Sequence, residues 1–487
     1  MMRPLQQDCD EHFEPVIQRN RGVMMGGILA MACLLGQAGC PAHSRQETMS
    51  RVPEPKPHGL ARRNQRAPTP QQSARPRPTP TPLVYADYFE DATLRLDLLH
   101  EGNSERETYR LAGLVREGPW PGSKRVLLDP DRYGLHWMTV RDKASGREIF
   151  SHGYGSLFSE WQTTDEAKVK RLALQESQRI PMPRRPVRIE FSSRGKDGGF
   201  HPVAAFDFDP GDKAIRSFHR DPAVRVVALH RAGPPAVKLD ILIVPDGYRR
   251  QDEAKMLADA RRFAGVFLAS EPFSRHRDDI NIWLVTAFSK DRGVSEPRKG
   301  RLLDTAVGLS FNTFDSPRYM MTVKNAALRR IAAHAPYDQL YLMANTSRYG
   351  GGGIYNLYST FPADNEYSEY VFIHEFGHSF GGLGDEYYSS PVSTNEMYPL
   401  GVEPWEPNLT RWMGHHLKWK PTRGVPLPTP PDRKKYGSVV GLFEGAGYTG
   451  KGMYRPALDC KMFSKAHRPF CPVCMSAVER RISRYTH

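Results

Sequence analysis

Cysteine is almost missing from the body of this chain. Of 487 residues six are cysteine: Cys9, Cys33 and Cys40 near the start, and Cys460, Cys471 and Cys474 near the end. A fold stapled throughout by disulfides is excluded, so a hydrophobic core must hold the chain together. The apolar run at residues 23–35 is short of the about 20 residues a membrane-spanning helix needs. Acidic residues are in deficit, with 54 Asp and Glu against 68 Lys and Arg, for a net charge of +14. That balance invites a nucleic-acid partner, but its distribution argues against one. Residues 41–84 alone contribute +6, from eight basic residues and two glutamates. No RNP, finger or helix-turn-helix pattern accompanies them, so the excess reads as a solvated basic linker and no nucleic-acid partner is expected. The glycine tract at 350–353 lacks the Lys-Ser or Lys-Thr that would make it a phosphate loop.

With 39% hydrophobic and 25% charged residues, the chain is globular and long enough for two or three domains. Its first 40 residues read as an export signal. Arg19 and Arg21 precede the apolar run, and the small residues Ala38 and Gly39 lead to Cys40. Gly39-Cys40 also suits lipid attachment, as in a bacterial lipoprotein, although Gln37 is an unusual residue for that motif. The expected location is therefore outside the cytoplasm, either lipid-anchored in the cell envelope through Cys40 or extracellular. Residues 41–84 are rich in Pro, Arg, Gln and Thr and hold no aromatic residue. Such a segment buries too little to order itself and reads as a disordered tether.

From residue 85 to about 215 the pattern is that of an antiparallel β-sandwich. Leu94, Leu96 and Leu98 alternate with polar residues, as do Val187, Ile189 and Phe191. Residues 137–140 and 148–150 flank Lys143-Ala-Ser-Gly146, a hairpin signal. Thr163-Thr-Asp-Glu166 matches a capping box and predicts a helix start. Trp137, Phe158 and Trp161 read as core, and nothing here looks catalytic.

Beyond residue 216 strands and helices alternate. Ile241-Leu-Ile-Val244 is a continuous apolar strand, 251–270 has helical spacing, 280–288 is a strand, 322–333 a helix and 339–344 a strand. The glycine tract then runs through Gly351, Gly352 and Gly353 to Ile354. Exposed backbone there permits close approach by another chain, so a substrate could dock as an added strand; a plain flexible turn is the rival reading.

The stretch that organises the rest is His374-Glu375-Phe376-Gly377-His378. Histidines four apart on a helix project from one face and can grip a single zinc ion, with the glutamate between them placed to take a proton from water. Val371, Phe372 and Ile373 make the approach apolar, and Gly381-Gly382 marks the helix end. The three late cysteines read as a disulfide between Cys460 and either Cys471 or Cys474. One Cys-x-x-Cys with a single further cysteine is a weak metal signal.

The run His374-Glu-Phe-Gly-His378-Ser-Phe-Gly-Gly-Leu-Gly-Asp385-Glu-Tyr-Tyr388, with Tyr454-Arg-Pro-Ala-Leu-Asp-Cys-Lys-Met462 and Phe470-Cys-Pro-Val-Cys474, resembles the IgA-peptidase family of metallopeptidases, relatives of the metzincins. Residues 156–167 resemble that family's N-terminal domain. The resemblance implies an α+β chain, an N-terminal antiparallel β-sandwich followed by a metzincin-like mixed α/β zinc-peptidase domain over 216–487. It implies one catalytic Zn2+ and a protein or peptide substrate, with Glu375 as general base. Immunoglobulin cleavage does not follow from it. Met462 is the candidate hydrophobic floor beneath the metal, with core filler as its rival role.

A catalytic zinc takes three protein ligands. In the metzincin pattern the third lies ten residues beyond the first histidine, where this chain has Gly384. Asp385 is the leading candidate, with Glu386 or a ligand elsewhere in the chain as rivals, and a role for Asp385 in orienting a histidine from behind stays open. Two other functions stay open as well: an inactive surface-binding homologue, and a zinc amidase acting on cell-wall material.

Overall fold

The computed structural model describes residues 82–388, 398–413, 417–422, 424–466 and 468–486. The expected export segment, Cys40 and nearly all of the tether lie outside the described residues. No helix of the described residues is long and apolar enough to cross a membrane.

Among the described residues eight strands come first: β1 (Phe89–Gly102), β2 (Glu107–Glu117), β3 (His136–Asp142), β4 (Glu148–Tyr154), β5 (Leu172–Pro183), β6 (Val187–Arg194), β7 (Phe200–Phe208) and β8 (Ile215–Ser217). They form two four-stranded sheets, ordered β5-β1-β2-β8 and β4-β3-β6-β7. All pairings are antiparallel except that of β8 with β2. Leu94, Leu96 and Leu98 of one sheet share a core with Met138, Val140, Ile189 and Phe191 of the other. Period-2 alternation sends these side chains to one face, and burying each contributes about 1.5–3 kcal/mol. The expected hairpin is β3–β4, turned at Gly146 with φ +68.

The expected capping box at Thr163 does not form. A helix not anticipated from sequence, Leu157–Gln162, is capped by Ser156, and Thr163 closes its C-terminal end, donating its hydroxyl to the Glu160 carbonyl at 2.8 Å. A helix does start within that stretch, Asp165–Val169, but Thr164 at its N-cap position gives it no side-chain cap, because its hydroxyl donates to Trp161 O at 2.7 Å. Thr163 is thus held by the preceding helix before it can start a new one.

The second part is a six-stranded sheet of β9 (Val226–His230), β10 (Leu239–Asp246), β11 (Ile280–Val285), β12 (Gln339–Ala344), β13 (Gly352–Ile354) and β14 (Tyr358–Pro362), in the order β13-β14-β12-β10-β11-β9. The four inner strands are parallel and both edge strands antiparallel. Parallel strands need apolar residues on both faces, which is why β10 reads as a continuous apolar run. Ile241 and Ile243 face one core with helix Glu253–Ala269, helix Ser368–Ser379 and the last helix, Pro472–Ser483. Leu242 and Val244 face the other, with helix Asn325–Ala332 and with Leu157, Phe158 and Trp161 from beside the sandwich. A short hairpin of β15 (Phe443–Ala446) and β16 (Thr449–Arg455) precedes the last helix.

The sandwich is tied to the sheet next to the cleft. Gly155 N–H donates to Tyr355 O at 2.8 Å, and Asn356 Nδ2 donates to Gly153 O at 2.7 Å. Just past the last helix, Arg484 pairs with the buried Asp129 at 3.0 Å.

Candidate active site

Helix Ser368–Ser379 carries the motif with its apolar side on the sheet. Phe376 stacks on Tyr341, whose hydroxyl donates to Phe372 O at 2.8 Å. That packing turns His374, Glu375 and His378 towards a cleft of about 500 Å³. Past the helix end at Ser379, Gly382 with φ +64 reverses the chain while its N–H bonds His378 O at 3.2 Å. The following segment brings Asp385 back over the histidines.

His374 Nε2, His378 Nε2 and Asp385 Oδ1 form a triangle with every side 3.2 Å. The far nitrogens are committed elsewhere. His374 Nδ1 donates to Lys461 O at 3.0 Å and His378 Nδ1 to Leu383 O at 2.6 Å. A carbonyl only accepts, so each Nδ1 carries the hydrogen and a neutral ring offers a bare Nε2. Asp385 Oδ2 accepts from Tyr387 at 2.8 Å and from Tyr448, while its buried Oδ1 has no hydrogen-bond partner. Three lone-pair atoms converging on one point repel unless a cation sits between them. A proton on His378 is one such cation: burial opposes it, but Asp385 outweighs burial and lifts the histidine to about 9. A metal ion is the other. Tetrahedral bonds of about 2.0–2.1 Å place donor atoms about 3.3–3.4 Å apart, so the donor set fits zinc.

Glu386 goes elsewhere. Its Oε1 accepts from Asn408 at 3.0 Å and lies 3.1 Å from Cys474 Sγ. Asn408 also brackets Gly384 with two hydrogen bonds to its backbone. A Cβ at Gly384 would lie 2.4 Å from Leu409, so no side chain fits there. Glu375 lies in the cleft beside the triangle, and burial pushes its carboxyl up against the pull of His374 and His378.

The glycine tract forms edge strand β13 across the helix. A Cβ at Gly353 would lie 2.3 Å from Glu375 O, and one at Gly351 would be 3.4 Å from Glu375 Oε1. The glycines let the strand press onto the histidine-bearing helix. Outside β13, Gly351 is already paired with Arg318 and Met320, and Tyr355 with Gly155; Gly352, Gly353 and Ile354 lie between. Met462 is wholly buried under the helix, against Gly377.

The expected disulfide is not formed. Cys460, Cys471 and Cys474 are free and buried, with Cys460 Sγ and Cys474 Sγ 3.8 Å apart. The sequence shows that three thiols lie close along the chain but not that a carboxylate is set among them.

Sequence reasoning missed the supports: Tyr387, Tyr448, Asn408 and the carbonyls of Leu383 and Lys461. Tyr387 sits inside the quoted motif and was open to notice. It also missed Glu160, which the sandwich side contributes to the cleft and whose carboxyl burial pushes up to about 7.

The class these features define is the metallopeptidases. Residues 227–437 and 431–482 match the family model described as IgA Peptidase M64, and residues 84–204 match that described as Peptidase M64 N-terminus. The chain belongs to the M64 peptidase family. No curated protein matches it.

Proposed function

We propose that the chain is an exported zinc endopeptidase with a metzincin-like catalytic domain. The observation that carries this is the triangle of His374, His378 and Asp385, three bare donors 3.2 Å apart beside Glu375. These three side chains would hold the ion. Zinc supplies Lewis acidity there, acidifying water and polarising the scissile carbonyl. Glu375 takes the proton from water and later gives it to the leaving amine; its raised affinity for a proton suits both roles. Tyr387 and Tyr448 hold Asp385, and the carbonyls of Lys461 and Leu383 hold the rings. Gly352, Gly353 and Ile354 offer main chain along which an extended substrate can lie as an added strand. Met462 forms the floor under the histidine helix. Cys40 would carry the lipid anchor of the exported protein.

The test removes the metal and restores it. The full chain should cleave peptides in a proteome-derived library, lose cleavage after dialysis against a chelator, and regain it with one zinc equivalent at the histidine site. Cleavage that survives complete metal removal overturns the reading.

A further inference from the structure

We propose that Cys460, Cys471, Cys474 and Glu386 form a second, structural metal site that takes zinc. Their ligand atoms all lie within 4.8 Å of one another, and the group shares no residue with the histidine site. Cys460 and Cys474 are wholly buried, as is Glu386, and Cys471 is 6% exposed. The spacing fits such an ion. A tetrahedral zinc with Zn–S bonds of about 2.3 Å sets sulfur atoms about 3.8 Å apart. Cys460 Sγ and Cys474 Sγ are 3.8 Å apart, whereas a disulfide would place them at about 2.05 Å.

The second observation is the carboxylate. Glu386 Oε2 is buried and has no hydrogen-bond partner. A carboxylate set in an apolar core is expensive unless a cation or a full set of donors meets it. The cation nearby is Arg455, which gives its hydrogen bonds to the carbonyls of Glu444, Gly445 and Leu458. Three thiolates and a carboxylate around Zn2+ leave a net charge of −2, which Arg455 partly offsets. The backbone supports thiolate at Cys460: Cys471 N–H donates to its sulfur at 3.2 Å. Soft, tetrahedral, sulfur-rich donors select zinc over magnesium or calcium.

The position gives the site a purpose. Glu386 follows Asp385 in the chain. Cys460 precedes Lys461, whose carbonyl fixes His374, and Met462, whose carbonyl accepts from Glu386 N–H at 2.9 Å. Cys471 and Cys474 open the last helix. One ion would therefore fasten the loop that delivers Asp385, the turn under the histidine helix, and the C-terminal helix.

The experiment counts metal and does not depend on peptidase activity. Full chain purified without chelators should hold two zinc per chain by elemental analysis, and His374→Ala/His378→Ala should hold one. X-ray absorption at the zinc edge of that variant should show mainly sulfur at about 2.3 Å. Adding Cys474→Ala should remove the remaining ion. If that variant does not fold, an organic mercurial added to the His374→Ala/His378→Ala chain should release one zinc as the three thiols react. No metal left in the His374→Ala/His378→Ala variant overturns the proposal, whether peptide mapping then finds three free thiols or a disulfide. A remaining ion bound only by nitrogen and oxygen overturns it as well.

Discussion

Met462 packs against Gly377, between the two histidines: a Cβ added at that glycine would lie 2.7 Å from the Met462 sulfur and 3.1 Å from the Phe470 ring. The turn bearing Met462 also carries Lys461, whose carbonyl holds His374. Contact under the helix and orientation of the His374 ring are thus one packing problem.

Gly377→Ala should accordingly destabilise the chain. Overpacking costs about 1–3 kcal/mol, against which the better helix propensity of alanine returns about 1 kcal/mol. Denaturant unfolding should show a lower midpoint, and zinc affinity should fall with it as the Lys461 carbonyl is displaced. A variant as stable as the parent would show that Met462 is not wedged there.

The two tyrosines on Asp385 should matter for metal and little for folding. Tyr387→Phe/Tyr448→Phe removes both donors to Oδ2, leaving the aspartate free to turn from the histidines. Loss of such supports lowers metal affinity about 10–100-fold. Competition with a zinc-binding dye measures this, and unchanged affinity would contradict it.

How much of this was legible depends on distance along the chain. The pairing of His374 with His378 is local helical spacing, and Asp385 follows over glycines that allow a sharp return; both were readable. Tyr448 reaches Asp385 from 63 residues away, with no spacing rule to announce it. The strands β10, β11 and β12 were legible because buried parallel strands are continuously apolar, whereas helix Leu157–Gln162 was too short to show a period. Cysteine spacing shows proximity but does not tell a disulfide from three free thiols grouped around a carboxylate. In the sequence the glycine tract reads as room for another chain; in the fold Gly351 and Gly353 are needed where the tract crosses Val371 and Glu375 of the histidine helix, and Gly350 and Gly352 where it meets Arg318 and Tyr319.

The sandwich carries a pH dependence of its own. His100 is wholly buried between Glu176 at 2.9 Å and Glu107 at 2.7 Å. Burial opposes its charge, but the two carboxylates outweigh burial and lift its pKa to about 9, while burial drives neighbouring His136 down to about 4. The unfolded value is about 6.5. A pKa raised on folding gives stabilisation that is complete below pH 6.5 or so and lost as pH rises through about 9. The unfolding midpoint should fall across that window, and His100→Gln should flatten the fall. An equal slope in the variant would remove His100 from the explanation.

The central claim is tested most directly at Glu375. Glu375→Ala removes the base and leaves His374, His378 and Asp385 in place. It should keep its zinc by elemental analysis while peptide cleavage, followed by mass spectrometry on a proteome-derived library, falls about 10²–10⁴-fold or more. A zinc-loaded Glu375→Ala chain that cleaves the library at the parent's rate would contradict the account.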